Sequence, residues 1–327
     1  MPISTRLTQL LGIQHPVLLA PMDLIADARL AMAVSAAGGF GMIGGGYGDA
    51  AWLTREMDAA RGARVGVGFI TWSMAKKADL LDLALERRPP AIMLSFGDVA
   101  PHAAKIKQAG AKLICQVQTV AQARDAAAAG ADIIVAQGAE GGGHGIARAT
   151  LPLVPAVVDA VPGVVVVAAG GIADGRGLAA ALMLGADGVL LGSRFYASQE
   201  AAGHAAAKQR LVDATGDQTV RGILFDLARR NVWPAPYTGR VLKNQFSEQW
   251  RGREAELMQN LDTEATRYAE ARAAGDFDTA ALIAGEAVDL IDDIPPAGDI
   301  VRRVTAQAAA LLVGATNRYN VTQQEPS

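Results

Sequence analysis

Cysteine is almost absent from this chain of 327 residues, which carries a single thiol, at Cys115. One cysteine cannot form an intramolecular disulfide, and its rarity favours a reducing compartment such as the cytoplasm. Because Cys115 lies in an apolar run, we expect it to be buried and structural. The sequence also lacks HxxxH, HExxH and CxxC spacings, so we predict no metal site.

An excess of positive charge and long apolar runs are missing as well. The 30 lysines and arginines are balanced by 33 acidic residues, which leaves a formal net charge of −3. Such a chain has no basic field for nucleic acid or for an anionic membrane surface. No stretch approaches the roughly 18 uncharged apolar residues of a membrane span, and residues 1–12 lack the apolar core of a signal peptide. We therefore expect neither nucleic acid nor membrane as a partner.

Aromatic residues make up only 5% of the chain although 51% is hydrophobic, so the core is expected to consist of Ala, Val, Leu and Ile. Short apolar runs alternate with Ala-rich amphipathic segments, a pattern typical of βα units around a parallel sheet. Eight strands are predicted, at residues 17–20, 41–43, 65–69, 91–94, 112–116, 132–136, 164–168 and 188–191. Helices are predicted between them at residues 27–37, 50–60, 76–86, 101–109, 120–129 and 176–184.

Eight βα units close naturally into a TIM (β/α)8 barrel, and this is the fold that we predict. A doubly wound open sheet would give the same alternation, but no early GxGxxG motif opens a βαβ unit. We assign residues 1–198 to the barrel core and residues 199–327 to a mainly helical C-terminal extension that packs on the barrel. The strand signal fades after Phe195, and the clearest helices of the extension are predicted at 253–274 and 278–290.

Two segments of the extension are predicted to be irregular. Residues 231–239, NVWPAPYTG, combine two prolines with two aromatic residues. This composition suits a loop laid across the barrel mouth, or equally a packing corner. The polar tail at residues 321–327, VTQQEPS, is expected to fray.

Glycine, by contrast, is abundant, and its densest cluster surrounds a histidine. The segment AQGAEGGGHG at residues 136–145 places His144 just after the predicted strand 132–136. Consecutive glycines let the backbone approach a ligand closely, and the carboxyl ends of TIM-barrel strands carry the active site. We therefore predict that His144 is an active-site residue, with a plain surface loop as the alternative. Glu140, close by in sequence, could orient His144 or simply be solvated.

Two more glycine-bearing joints follow the last two predicted strands. Gly170 and Gly171 lie in AAGGIADGRG, and Gly192 and Ser193 lie in LGSRF. TIM barrels bind phosphate at these loops, where backbone N–H groups and the start of a short helix meet an anion. Together the two joints predict a phosphate site, whereas either one alone could be an ordinary turn.

Five motifs occur in a fixed order from about residue 5 to residue 198. They are HPVLLAPM, SAAGGFGMIGGG, AQGAEGGGHG, AAGGIADGRG and LGSRF. In this series the chain resembles the nitronate monooxygenase (2-nitropropane dioxygenase-like) family of FMN-dependent TIM barrels. The resemblance implies FMN as the cofactor.

The resemblance also implies roles for the matching residues. The backbone of Ala20, Pro21 and Met22 would lie along the isoalloxazine ring, and Gln116 stands where relatives carry a polar or basic residue that contacts the flavin. The residues that would line the flavin are Gln137, Gly138 and Gly142, and those that would hold its phosphate are Gly170, Gly171, Gly192 and Ser193. His144 matches the histidine that is regarded as catalytic in this family.

The activity that the resemblance implies is FMN-dependent oxidation of alkyl nitronates, or of nitroalkanes, by O2 to a carbonyl compound and nitrite, through a flavin semiquinone. The same family includes flavin-dependent enoyl-ACP reductases and NADH:quinone reductases. An NAD(P)H-dependent FMN reductase that acts on an enoyl thioester or a quinone is therefore the main alternative, and a noncatalytic flavin- or phosphate-binding barrel is another. A homodimer is consistent with the base rates for soluble enzymes.

Overall fold

The computed structural model describes residues 2–77 and 79–319. Its strands are β1 Val17–Leu19, β2 Gly41–Gly44, β3 Val65–Ile70, β4 Ala91–Ser95, β5 Lys112–Val117, β6 Ile133–Gln137, β7 Gly143–Gly145, β8 Val165–Ala169, β9 Gly188–Leu191, β10 Thr219–Gly222 and β11 Thr238–Leu242.

The helices that accompany the barrel strands are α1 Arg6–Leu11, α2 Ala28–Ala36, α3 Ala50–Ala59, α4 Thr71–Met74, α5 Asp79–Glu86, α6 Ala100–Gln108, α7 Val120–Ala128, α8 Thr150–Ala160, α9 Gly175–Met183 and α10 Ser193–Tyr196. The later helices are α11 Ala205–Asp213, α12 Leu224–Ala228, α13 Gln245–Trp250, α14 Glu254–Gln259, α15 Leu261–Ala274 and α16 Ala297–Tyr319. Two short 3-10 helices lie at Gly216–Gln218 and Glu286–Leu290.

Eight parallel strands form the barrel, and each predicted strand agrees with an observed one to within a residue at either end. Their order is β1-β9-β8-β6-β5-β4-β3-β2. A parallel bridge between Leu18 on β1 and Phe40, just before β2, joins the two ends of this sheet. The predicted TIM barrel is therefore confirmed, and the open-sheet alternative is wrong.

Helix α1 closes the amino-terminal end of the barrel. Leu7 and Leu11 are buried and belong to the same apolar cluster as the residues that fill the barrel interior. Arg6 donates to the Asp187 carboxylate over 2.7 Å, just before β9 begins. Because this end is filled and ion-paired, only the carboxyl ends of the strands remain for a ligand.

Cys115 is fully buried on β5, as predicted. Burial raises the pKa of its thiol to about 12, so the reactive thiolate is not formed near neutral pH. No helix within residues 2–77 and 79–319 is long and apolar enough to cross a membrane.

The extension contains two strands that the sequence analysis did not predict. Strands β10 and β11 pair antiparallel, and β11 also pairs with β7, the strand that carries His144. Neither segment has an apolar alternation, because TVRG contains one apolar side chain and TGRVL only two adjacent ones. Their pairing is a tertiary contact with the histidine loop, and such contacts override weak local propensity.

Both helices predicted in the extension need correction. The segment 253–274 is interrupted at Asn260, between α14 and α15. The segment 278–290 is helical only at its end, as the 3-10 turn Glu286–Leu290. Upstream of that turn the chain runs extended against β11, where Leu242 N donates to Leu282 O over 2.9 Å. This pairing satisfies backbone N–H and C=O groups that would otherwise form hydrogen bonds within a helix.

Helix α16 packs against α9, which precedes the last barrel strand β9, and against α2, which follows the first strand β1. Ile300, Val301 and Val304 of α16 are buried in the same apolar cluster as the outer face of the barrel sheet. The division of the chain after residue 198 stays a prediction. The predicted tail at residues 321–327 lies outside the described residues.

Candidate active site

A cavity of about 440 Å³ opens at the carboxyl ends of the barrel strands. Its volume lies within the range of about 300–1,000 Å³ that is typical of small-molecule sites. The predicted site residues that line it are Ala20, Pro21, Met22, Gln116, Gln137, Gly142, His144, Gly170, Gly171, Gly192 and Ser193.

Gly138 is the predicted site residue that does not line this cavity in the described structure. A Cβ atom at this position would lie 2.0 Å from Thr150 Oγ1 and 2.4 Å from Thr150 N. Gly138 is thus needed where the histidine loop packs against the start of α8, and its contact with the flavin stays a prediction.

The two predicted phosphate-binding joints meet at one side of the cavity. Gly170 and Gly171 have φ values of +96° and +68°, in the left-handed region that favours glycine. Gly192 has an ordinary φ of −106°, and an added Cβ would meet no atom of the chain closer than 3.7 Å. Ser193 Oγ accepts a hydrogen bond from Gly285 N over 2.9 Å, which leaves its own hydroxyl proton free for a ligand.

His144 projects from β7 into the mouth of the cavity. Its ring stacks on the indole of Trp233 with a centroid distance of 3.4 Å and an interplanar angle of 7°. The ring of Phe96 approaches it edge-on. Only 9% of the His144 side chain is exposed, so two aromatic neighbours shield the imidazole from bulk water.

Asp226 on α12 is the polar partner of His144. Their Nε2 and Oδ2 atoms are 2.9 Å apart, and only 9% of each side chain is exposed. Burial lowers the pKa of His144, although the hydrogen bond and the charge of Asp226 act in the opposite direction. A neutral imidazole that donates Nε2–H to Asp226 keeps its lone pair on Nδ1, which accepts no hydrogen bond from any described residue.

Sequence reasoning missed Asp226, which lies 82 positions beyond His144 in an ordinary helical segment, LFDLARR.

The segment 231–239 was predicted to be either a loop across the barrel mouth or a packing corner. In the structure Trp233 stacks on His144, and Tyr237 Oη accepts from Gln122 Nε2 over 3.1 Å. This loop crosses the barrel mouth, so the first of the two interpretations is correct.

An aromatic cluster surrounds the mouth, made of Tyr47, Trp72, Phe96, Trp233 and Tyr237. Trp233 Nε1 donates to Tyr47 Oη over 3.0 Å, which fixes the plane of the indole. The rings contact each other edge to face at centroid distances of 5.1 to 6.3 Å. The cluster forms an apolar wall of the site, and such a wall favours a ligand that has an apolar part.

The backbone of the histidine loop is braced by two arginines of the extension. Arg221 Nη2 donates to Ala139 O over 2.8 Å and to Gly141 O over 3.1 Å. Arg240 Nε donates to Ala139 O over 3.0 Å. Burial lowers the pKa of Arg221 to about 10, so it stays charged at neutral pH. The glycine-rich loop is therefore held in one conformation.

Glutamine side chains link the barrel wall to the same loop. Gln116 Nε2 donates to Gln137 Oε1, and Gln118 Nε2 donates to the same oxygen over 3.2 Å. Gln137 Nε2 in turn donates to the carbonyl of His144 over 3.1 Å. This chain of amides fixes the backbone from which the His144 ring projects.

Glu140, whose role the sequence left open, neither contacts His144 nor points into solvent. Its carboxylate accepts from Thr150 N over 3.0 Å and from Thr150 Oγ1 over 2.9 Å. Thr150 is the first residue of α8, where helix N–H groups have no partner within the helix. Glu140 therefore caps α8.

The family model described as nitronate monooxygenase matches this chain over residues 4–66 and 68–307. The chain belongs to the nitronate monooxygenase family. The family resemblance that the five motifs carried is thereby confirmed. As a member of the nitronate monooxygenase family the chain is an oxidoreductase, and the enzymes of this family use a flavin.

The chain is also similar to individual proteins. The chain is 35% identical over 346 residues to a nitronate monooxygenase of Neurospora crassa, across 90% of this chain and 89% of that protein. It is 40% identical over 232 residues to the (3aS,4S,5R,7aS)-5-hydroxy-7a-methyl-1-oxo-octahydro-1H-indene-4-carboxyl-CoA dehydrogenase of Mycobacterium tuberculosis, across 67% of this chain and 63% of that protein. The structure of FabK from Thermotoga maritima matches with a TM-score of 0.85 at 31% identity, across 97% of this chain and 99% of that one.

Proposed function

We propose that the protein is an FMN-dependent enzyme that oxidises alkyl nitronates, and nitroalkanes, with O2 to a carbonyl compound and nitrite. The observation that carries this proposal is the buried His144–Asp226 pair at the mouth of the cavity. It offers a neutral imidazole beside an apolar aromatic wall, which suits a small organic substrate whose acidic proton must be removed. Relatives named nitronate monooxygenase, which align with 90% of the chain, support the proposal.

The residues that line the cavity support FMN as the cofactor of this reaction. We propose that Ala20, Pro21, Met22, Gln116, Gln137 and Gly142 contact the ring system of FMN, and that Gly170, Gly171, Gly192 and Ser193 hold its phosphate. Bound FMN would supply the capacity to accept electrons from the substrate, which no protein side chain has. The left-handed φ values of Gly170 and Gly171 favour glycine in this loop, and the space in front of Gly192 is one that a larger residue would fill.

The protein's own residues would bind the substrate and move its proton. His144 Nδ1 would accept the α-proton of a neutral nitroalkane, and Asp226 would stabilise the resulting imidazolium through Nε2. Trp233 and Phe96 would keep water from the reacting carbon. A preformed nitronate has already lost this proton, so it would need binding and orientation but no base.

Replacing Gly192 by alanine tests the cofactor cradle. Because the added methyl group fits among the protein atoms, the apoprotein should fold normally, but the methyl would lie where FMN phosphate is proposed to bind. We expect FMN affinity to fall about tenfold or more, which corresponds to roughly 1.4 kcal/mol. Titration of apoprotein with FMN, followed by flavin fluorescence, measures this.

Gly222→Ala is the matched control for this substitution. Gly222 lies on β10, and an added Cβ there meets nothing within 4 Å. Its FMN affinity should equal that of the parent. Equal affinity in the Gly192→Ala protein would place the phosphate elsewhere.

The proposed reaction is tested by anaerobic absorbance spectra of the flavin-loaded protein. Loss of the oxidised flavin band on adding propionate 3-nitronate, and its return with nitrite release on admitting O2, is the expected result. Bleaching by NADH or NADPH alone would instead favour a reductase acting on an enoyl thioester or a quinone. The 40% identity to a carboxyl-CoA dehydrogenase supports a thioester as the substrate of this second candidate. A flavin-binding protein that responds to none of these would be a noncatalytic barrel.

A cytoplasmic location and a homodimer stay predictions.

A further inference from the structure

The contact between His144 and Trp233 differs from the other aromatic contacts of the described cavity mouth. Trp233 meets Phe96 and Tyr47 edge to face, at interplanar angles of 79° and 86°. Its contact with His144 is instead a parallel stack, with centroids 3.4 Å apart and planes 7° from parallel. Carbon atoms in van der Waals contact lie about 3.5–4.0 Å apart, so this centroid distance leaves almost no lateral offset between the rings.

A face-to-face stack without offset is the less favourable arrangement for two neutral aromatic rings. Both faces carry the negative potential of the π-electrons, so neutral pairs prefer an offset or an edge-to-face contact. A cation centred over an indole face is attracted by the same potential, and tryptophan is the best aromatic partner for it. Within the described mouth, the imidazole of His144 is the ring that becomes cationic on gaining a proton. The stack on Trp233 therefore suits the imidazolium better than the neutral ring.

The indole of Trp233 is held in place independently of the charge on His144. Its Nε1 donates to Tyr47 Oη over 3.0 Å, and the ring of Phe96 packs against it at a centroid distance of 5.1 Å. Trp233 is only 9% exposed, and a cation gains more from a desolvated aromatic face than from an exposed one. A group that is fixed before the charge forms needs no reorganisation when the charge appears.

Charged groups of the extension act on the proton of His144 in opposite directions. Asp226 on α12 favours the imidazolium through its hydrogen bond and its charge, whereas the positive charges of Arg229 and Arg221 oppose it. Burial of the ring also lowers the pKa of His144. Tyr47 adds no charge near neutral pH, since burial raises the pKa of its hydroxyl. The resting imidazole is thus neutral, and the indole face is an uncharged surface that becomes more favourable once a proton is taken up.

We propose that Trp233 is a positioning residue whose indole face stabilises the imidazolium that His144 becomes when it removes the α-proton of a nitroalkane. In this step the C–H bond breaks, its proton forms the Nδ1–H bond of His144, and its electron pair stays on the substrate as the nitronate. The new positive charge is stabilised in the ring plane by the Asp226 carboxylate at Nε2 and from one face by the indole. This role of Trp233 rests on the proposed function, in which His144 is the base.

The basicity of His144 in the flavin-loaded protein, without substrate, tests the stack. NMR titration of the histidine ring signals, assigned with His144→Ala, measures it in the parent, in Trp233→Phe and in Trp233→Leu. We expect the acid dissociation constant of the imidazolium to increase about fivefold or more in Trp233→Leu, and less in Trp233→Phe, which keeps an aromatic face. An indole that only excluded water would give the opposite sign, because a smaller side chain admits water and raises the pKa of a buried histidine. That result would overturn the proposal.

Fluorination separates the electrostatic effect of the indole from its volume. Fluorine draws electron density from the ring face while the ring keeps nearly the same size, so the parent grown on 5-fluorotryptophan should have a less basic His144. Trp233→Phe labelled in the same way is the control for Trp52, Trp72 and Trp250, the remaining tryptophans, and should match its unlabelled form. Unchanged basicity in the fluorinated parent would overturn the proposal, even where a substitution at Trp233 prevents folding.

Turnover connects the stack with the proposed reaction. Above the pH at which His144 is protonated, kcat for a neutral nitroalkane should fall about fivefold or more in Trp233→Leu, with KM little changed. The reason is that the charge on His144 arises only as the proton is transferred. Oxidation of the preformed nitronate should fall much less.

Trp52→Leu is the matched control, because this half-buried indole lies on α3 away from the cavity lining. It should equal the parent in basicity and in turnover, and flavin content and the thermal midpoint establish that each variant is folded. Altered basicity with an unaltered nitroalkane rate would contradict His144 as the base, and with it the role of Trp233. Unaltered basicity would overturn the role of Trp233 alone and leave His144 as the base.

Discussion

Replacement of His144 by alanine should lower the turnover of a neutral nitroalkane by about 10²-fold or more while FMN stays bound. The reason is that the Asp226 hydrogen bond to Nε2 leaves His144 Nδ1 free, and His144 lines the cavity. A preformed nitronate carries no α-proton to remove, so its oxidation should fall much less. The measurement is kcat/KM for nitroethane and for its nitronate, with bound flavin determined from absorbance.

His102→Ala is the control for the loss of an imidazole, because His102 lies on α6 away from the cavity lining. Its rates with both substrates should equal those of the parent. Unchanged rates with both substrates in the His144→Ala protein would remove this residue from the mechanism.

The pH dependence provides a second readout for His144. Burial lowers its pKa below the ordinary value of about 6.5, so the basic form is present above that pH and is lost as the pH falls through the lowered value. With a neutral nitroalkane, kcat/KM should therefore be level above about pH 6.5 and decline only in more acidic solution. In the His144→Ala protein this acid limb should be missing.

Replacement of Asp226 by asparagine should also reduce nitroalkane turnover by about 10²-fold or more, although the imidazole remains in place. A carboxylate can only accept from Nε2, and this fixes the lone pair on Nδ1. An amide can instead donate to Nε2, which moves the proton to Nδ1 and removes the base. The lost negative charge also withdraws stabilisation from the imidazolium, since the hydrogen bond and charge of Asp226 both raise the pKa of His144.

Three readouts separate this positioning role from a merely structural one. The ¹⁵N chemical shifts of His144 should report Nε2–H in the parent and Nδ1–H in the Asp226→Asn protein. Oxidation of the preformed nitronate should be affected less than that of the nitroalkane. Any remaining acid limb should move to lower pH. Asp125→Asn, an exposed substitution on α7, is the control and should change none of these. An unaltered tautomer with an unaltered nitroalkane rate would refute the role of Asp226.

Most of the barrel could be predicted from local sequence. Each of its strands is a short apolar run between Ala-rich amphipathic helices, and such runs have one favourable environment, a parallel sheet covered by helices. The segment 278–290 could not be predicted in the same way. Its composition allows a helix, but the chain is drawn into extended pairing with β11, and this contact exists only after the extension has folded back on the barrel.

The sequence by itself determined the barrel and the face on which its site lies. Glycine loops after β6, β8 and β9 had to meet, because the carboxyl ends of parallel strands converge on one rim. Only the tertiary structure decided which groups contact His144. Asp226 and Trp233 reach it from the extension, across more than 80 residues of sequence, and no local pattern encodes such contacts. Their distances depend on the pairing of β11 with β7, which is a property of the folded chain.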